Sequence, residues 1–162
     1  MNYDSKKSQE AASDAKTAKY LAWCRKEGVI ADKVEFPAVY GGVWGSRASQ
    51  DIEPNEAFLS VPIKMMISVE GAKNSDIGEI FKNHESIYIK NIDRDYLILI
   101  TFLVYERLKV ENSYWYSYFE IVDPGTDASN WPESAINKTD DLELKMAFKA
   151  AQTKNNDDWQ QI

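Results

Sequence analysis

The segment from residue 40 to residue 68 constrains the fold of this chain more than any other part of the sequence. Residues 53–56 (Glu-Pro-Asn-Glu) predict a hairpin turn, because proline presets φ at the first central position and asparagine tolerates the second. Residues 58–61 alternate apolar and polar side chains until Pro62 ends further strand pairing. Before the turn, glycines without a Cβ permit a tight bend and a close approach to a ligand: Gly41, Gly42 and Gly45. The segment therefore predicts a short strand, a glycine bend, a hairpin turn and a second strand, although most bends of this kind only reverse the chain.

Helical patterns lie on both sides of these strands. Residues 17–28 predict a helix, with apolar and aromatic positions at helical spacing and Gly28 just after its end. Residues 76–83 predict another, with Ser75 as its N-cap, and a long helix should run to Lys109. Asp93 or Asp95 is predicted to cap the start of the long helix. A last helix is predicted to begin at Thr139-Asp140-Asp141. Strands followed by helices indicate an α+β fold class: an N-terminal helix, a small β-hairpin sheet and then helices.

Composition narrows the class of protein. The chain has 162 residues, 44% of them hydrophobic, with five Trp and nine Tyr, so it has enough apolar surface for a core. A net charge of −7 argues against nucleic acid as a partner. One cysteine excludes an internal disulfide and a cysteine-based metal cluster, and we expect no metal site. The apolar run at residues 97–104 is too short to span a membrane, and without a targeting signal we expect a cytoplasmic or nuclear location.

Several motifs in order resemble the SET-domain protein methyltransferases, in the branch that is like the Rubisco large-subunit methyltransferase. The bend is similar to the opening of a SET domain, followed by an Asp-Ile pair, a turn with Asn and Glu, and a Phe-Leu-x-Val-Pro strand. The leading helix at residues 20–28, the helix at 97–106 and the Ser-Tyr-Trp segment from 113 also resemble that branch. The similarity to the family extends from about residue 17 to residue 145. In the bend, the residues that match the family's motif are Gly42, Val43, Trp44, Gly45, Ser46, Arg47 and Ala48.

The resemblance implies a protein lysine or histidine N-methyltransferase that uses S-adenosyl-L-methionine and acts on a protein substrate. It implies that the cofactor lies against backbone groups of Val43, Trp44, Gly45 and Ser46. Residues 1–16 would then be a polar tail, frayed or weakly helical, 17–74 the N-terminal part of a SET domain, and 75–162 the start of its helical insert. The family's later Asn-His pair and Tyr have no counterpart here, so we expect an incomplete SET domain, inactive alone, with no catalytic residue to assign.

Other interpretations stay open. The family's bend opens with an acidic residue and a glycine where this chain has Gly42 and Val43, which favours a non-catalytic SET-like protein-interaction module as an alternative. An unrelated helical scaffold with a hairpin is a third possibility. His84 sits in an Asn-His-Glu-Ser stretch that mimics a cofactor motif but precedes the insert, so a solvated loop residue is the simpler interpretation. Trp115 and Tyr118 could line a cleft, but internal packing is favoured for Trp115 and Trp131.

Overall fold

The computed structural model describes residues 2–84, 88, 94–122 and 131–161. These residues form a mixed structure of helices with a three-stranded antiparallel sheet, which agrees with the predicted α+β class. In chain order the elements are β1 (Tyr3–Asp4), α1 (Ser5–Ser13), α2 (Ala15–Glu27), β2 (Val34–Tyr40), β3 (Val43–Ala48), a 3-10 turn (Ile63–Met65), α3 (Val69–Lys73), α4 (Gly78–Asn83), α5 (Arg94–Leu108), a 3-10 turn (Val110–Asn112), α6 (Tyr116–Phe119), α7 (Glu133–Ile136) and α8 (Leu142–Gln161).

The chain divides into two compact units. Unit 1 contains Met1–Ile67 and Lys109–Ile121, and unit 2 contains Ser68–Leu108 and Val122–Ile162. Unit 1 holds the whole sheet, so it contains the segment from which the sequence predicts a cofactor site. The predicted division into a tail, a SET part and an insert stays a prediction.

The N-terminal residues form β1 and α1, so the helical alternative of the two expectations agrees with the structure and the frayed one does not. Asp4 caps α1 by accepting a hydrogen bond from the Lys7 amide at 3.0 Å. Ser8, on the inner side of α1, is 1% exposed. Its Oγ donates to the Asp4 carbonyl at 2.7 Å and accepts from the Val39 amide at 2.9 Å. These bonds attach α1 to the sheet, a long-range contact that the polar composition of the segment does not reveal.

Helix α2 confirms the first helix prediction. Asp14 caps it by accepting hydrogen bonds from the amides of Lys16 and Thr17 at 3.1 and 3.2 Å. Gly28 follows its last turn with φ of 99°, a left-handed conformation that glycine adopts without steric cost. The helix thus starts two residues before the predicted position and ends where Gly28 indicates.

The hairpin turn is not where the sequence predicts it. Gly41 and Gly42, with φ of 57° and 90°, form a two-residue connection between β2 and β3, with Tyr40 opposite Val43. The predicted glycine bend is therefore the hairpin turn itself. Pro37 lies within β2, where it has no amide to donate, and the pairing register shifts at this point, between Glu35 and Ala38.

Residues 53–56 form the predicted turn, but it joins irregular segments. Asn55 has φ of 67°, and the Glu56 amide donates to the Glu53 carbonyl at 3.0 Å. Lys33 holds the turn by donating to Glu56 Oε2 and to the Asp51 carbonyl, both at 2.8 Å. The predicted strand at 58–61 is wrong: its pairing is limited to one isolated antiparallel bridge between Ile30 and Ser60.

Unit 2 is built around α5, which confirms the predicted long helix. Leu97, Ile98 and Phe102 are at most 2% exposed and form much of its buried apolar surface. Of the two predicted caps, Asp93 lies outside the described residues. A cap at Asp95 is wrong, because α5 begins at Arg94 and Asp95 lies within its first turn. Within the ranges described, no helix is long and apolar enough to cross a membrane.

The predicted cap at Ser75 is wrong. Its Oγ donates to the Ala72 carbonyl at 2.7 Å, so this side chain bonds the end of α3, and α4 begins three residues later at Gly78 without a side-chain cap. At the other end of unit 2, Asp141 accepts a hydrogen bond from the Leu144 amide at 3.0 Å. The predicted start of the last helix is thereby confirmed as α8.

Candidate functional site

An aromatic cavity of about 640 Å³ lies within unit 1. Helix α2, the sheet, the segment 59–67 and the segment around α6 all contribute to its wall. Most of the lining is apolar. The lining residues are Tyr20, Leu21, Trp23, Cys24, Arg25, Val29, Ala31, Asp32, Val34, Phe36, Ser46, Leu59, Val61, Met65, Ile67, Trp115 and Tyr118.

The aromatic side chains around the cavity contact one another in a continuous series. The series runs through Trp44, Phe36, Tyr20, Trp23, Tyr114 and Trp115, with successive ring centroids 5.0 to 6.4 Å apart. Four of these five contacts are edge-to-face, an arrangement that the ring quadrupole favours, and the Tyr20–Trp23 pair is tilted. We call this set the aromatic series. It connects the sheet to α2 and to the returning segment at 109–121.

Hydrogen bonds fix the end of the aromatic series at the returning segment. The Trp115 indole Nε1 donates to the Met65 carbonyl at 3.2 Å. The Tyr114 hydroxyl donates to Glu27 Oε2 at 2.9 Å, and Lys64 lies 2.7 Å from the same oxygen. Hydrogen bonds from Lys64 and then Tyr114 lower the pKa of Glu27. Burial and the bond to Glu27 raise the pKa of Tyr114 to about 12.

The polar groups on the cavity wall are mostly neutral. Burial raises the pKa of the Tyr20 hydroxyl, and a hydrogen bond with Cys24 adds to that effect. Burial also raises the pKa of the Cys24 thiol, so it is a weak nucleophile at neutral pH. Among the described residues, the lining carries one carboxylate, Asp32, and one guanidinium, Arg25, and both residues are exposed.

The four predicted cofactor residues all lie on β3, and the structure brings one of them to the cavity. Ser46 lines its wall, whereas Val43, Trp44 and Gly45 do not. Trp44 is 46% exposed and packs edge-to-face on Phe36 with centroids 6.4 Å apart. A Cβ built on Gly45 would meet the Tyr40 ring at 3.7 Å, an ordinary contact, so packing within the chain does not require glycine there.

Sequence reasoning anticipated part of the cavity wall. Trp115 and Tyr118 line it, so the cleft interpretation of that segment agrees with the geometry, although Trp115 also packs internally through its bond to Met65. Tyr20 and Phe36 were missed, because helical spacing shows which residues share a face but not what that face packs against. Trp131 is 45% exposed and contacts Phe148, so internal packing is wrong for it.

Two further expectations concern chemistry. His84 is exposed in the turn that ends α4, which agrees with a solvated loop residue. Across residues 2–84, 88, 94–122 and 131–161, no group of three or more His, Cys, Asp or Glu side chains could hold a metal ion.

Comparison with known proteins identifies protein N-methyltransferases as relatives. The ribulose-1,5-bisphosphate carboxylase/oxygenase large subunit N-methyltransferase of Pisum sativum is 30% identical over 128 residues, which are 77% of this chain and 24% of the pea protein. The actin-histidine N-methyltransferases of Rhinolophus ferrumequinum and Homo sapiens are each 29% identical over 100 residues, 62% of this chain and 16% of theirs. The chain thus spans a quarter or less of the length of these relatives. No family model matches the chain, and no solved structure does.

Proposed function

We propose that this chain is the N-terminal portion of a SET-type protein N-methyltransferase that uses S-adenosyl-L-methionine to methylate a lysine or histidine of a protein substrate. The observation that carries the proposal is the similarity to proteins named as N-methyltransferases, over 77% of the chain for the pea protein and over 62% for the actin-histidine proteins. The motif at residues 42–48 supports the proposal as well, because it lies in a β-hairpin whose two-residue turn is Gly41 and Gly42.

The open edge of β3 supports a cofactor site along Val43, Trp44, Gly45 and Ser46. Within the described residues β3 pairs only with β2, so its other edge presents amides and carbonyls to a ligand. Such groups suit the polar atoms of an adenosine or an amino acid. Ser46 adds a contact to the cavity wall. The cofactor would supply an electrophilic methyl group, while this part of the protein would bind and orient it.

The same proposal holds that the chain alone transfers no methyl groups. Orientation of two reactants is the main contribution expected of such an enzyme, and it requires groups on both sides of the reacting atoms. In this chain we assign the groups on one side of the reacting atoms, which are the backbone groups of β3. We assign no catalytic residue. A cytoplasmic or nuclear location stays a prediction.

Calorimetric titration of the chain with S-adenosyl-L-methionine tests the cofactor site, with amide chemical shifts as a second readout. We expect binding, and shift changes confined to residues 43–46 and their cavity neighbours. The amides of α5 in unit 2 serve as the internal control. Titration without heat and without shifts at β3 would refute this cofactor site. Transfer of labelled methyl groups by the chain alone would refute its inactivity.

A non-catalytic protein-interaction module is the second candidate, and exposed apolar side chains in unit 1 favour it. Ile63 is 84% exposed, Val43 58%, Phe58 52% and Trp44 46%. Side chains of this kind in the segment 43–63 suit contact with another protein surface. The two candidates differ in the titration above, because a module of this kind binds no methyl donor.

A further inference from the structure

We propose that the aromatic cavity of unit 1 recognises a trimethylated lysine side chain on a protein partner. This is a binding role that goes beyond methyl transfer and does not require the cofactor. The ligand class follows from three properties of the cavity: its aromatic side chains, its mostly apolar wall and its volume.

Five aromatic side chains line the cavity: Tyr20, Trp23, Phe36, Trp115 and Tyr118. Aromatic faces attract organic cations, and tryptophan does so most strongly. Trp115 is held by its bond to Met65, and Trp23 packs edge-to-face on Tyr114 at 5.5 Å, so these rings are fixed before a ligand arrives. Rings that are already ordered lose little conformational freedom on binding, which favours affinity.

The mostly apolar wall favours a methylated ammonium over an unmodified one. Apolar and aromatic side chains make up most of the lining. Tyr20 already bonds to Cys24. An unmodified lysine brings three N–H donors, and these lose water at a cost where they meet the apolar part of the wall. A trimethylated ammonium has no donor, and its methyl groups suit the apolar wall.

Charge and size are also consistent with a cationic side chain. Asp32 provides a carboxylate on the wall, Arg25 is the one opposing charge there, and the protein carries a net charge of −7. A volume of about 640 Å³ lies in the range of small-ligand sites and exceeds a single trimethylammonium group. The cavity can therefore hold a whole modified side chain with part of its flanking backbone.

Calorimetry with four matched probes tests this inference on the full chain. The probes are a peptide with one trimethyl-lysine, the same peptide with lysine, the same peptide with the neutral tert-butyl isostere of trimethyl-lysine, and S-adenosyl-L-methionine. We expect the trimethyl-lysine peptide to bind at least tenfold more tightly than the lysine and isostere peptides. Equal binding of the isostere would overturn the proposal in favour of a simple apolar pocket. No binding of any peptide would overturn it as well. Binding of the trimethyl-lysine peptide without binding of S-adenosyl-L-methionine would refute the proposed cofactor site and leave this inference standing.

Variants locate the site. Asp32→Asn, at an exposed position, should weaken binding of the trimethyl-lysine peptide about threefold, and Tyr118→Leu about tenfold, because each removes one attractive group from the wall. Trp131→Leu, in unit 2, is the matched aromatic control and should leave binding unchanged. Chemical shift changes of the Trp115 indole N–H report binding directly. A wild-type response in both cavity variants, or an equal loss in Trp131→Leu, would place the ligand elsewhere and overturn the proposal.

Discussion

Replacing Ser8 with alanine should destabilise unit 1 by about 2 kcal/mol. Ser8 is 1% exposed, and its Oγ accepts from the Val39 amide at 2.9 Å while donating to the Asp4 carbonyl at 2.7 Å. Alanine removes both bonds and leaves a buried amide on β2 without its partner, which costs about 1–3 kcal/mol. The small volume change adds little, because the methylene carbon is retained.

Denaturant unfolding followed by tryptophan fluorescence measures this loss, with hydrogen exchange at the Val39 amide as a local probe. Ser13→Ala is the matched control, since its exposed Oγ donates only to the Gln9 carbonyl at 2.8 Å; we expect a change within about 0.5 kcal/mol. Equal unfolding free energies for the two variants, with Val39 exchange unaltered, would mean that the N-terminal helix is not attached to the sheet as described.

Three further predictions test the turn, an ion pair and a packed glycine. Gly42→Ala should lower the free energy of unfolding by about 1–2 kcal/mol. The cost comes from the backbone, because φ of Gly42 is 90° and no atom lies within 4 Å of the new Cβ. Gly45→Ala should cost less in the same denaturant assay. Hydrogen bonds from Tyr3 and then Arg47 lower the pKa of Glu35. The contribution of Glu35 to stability is therefore complete above its unfolded-state pKa of about 4.3, and it is lost as pH falls through the lower folded-state pKa. Glu35→Gln should flatten the dependence of stability on pH below about pH 4.3. Gly78→Ala should lower the thermal midpoint of unit 2, because its Cβ would come within 2.1 Å of the Lys73 carbonyl oxygen; an unchanged midpoint would contradict that packing.

Local signals in the sequence predicted the local features well. Gly28 correctly indicated the end of α2, and Asp141 lies at the predicted start of α8. Asn55 adopts the left-handed conformation expected in its turn. Each of these features depends on the preferences of one or two residues, so neighbouring sequence is enough to determine it.

Features that depend on distant contacts were harder to predict. The strand expected at 58–61 pairs only through the bridge at Ser60, because alternation of apolar and polar residues does not supply a partner strand. Helix α1 has the composition of a polar tail because long-range contacts attach it to the sheet, namely the buried hydroxyl of Ser8 and the pairing of β1 with β2. Phe36 reaches the cavity only because β2 faces α2, and that arrangement cannot be deduced from spacing along either element.

The order in which this polypeptide emerges during synthesis matters for unit 1, which is assembled from two stretches separated by Ser68–Leu108. A nascent chain that has exposed only the first stretch contains Trp23 and the Met65 carbonyl, but not the Tyr114 and Trp115 rings that contact them. Until the ribosome has released residue 121, two of the six rings of the aromatic series are absent, and the apolar surface that they contact is left uncovered. Premature termination between the two stretches should therefore yield a product that chaperones retain.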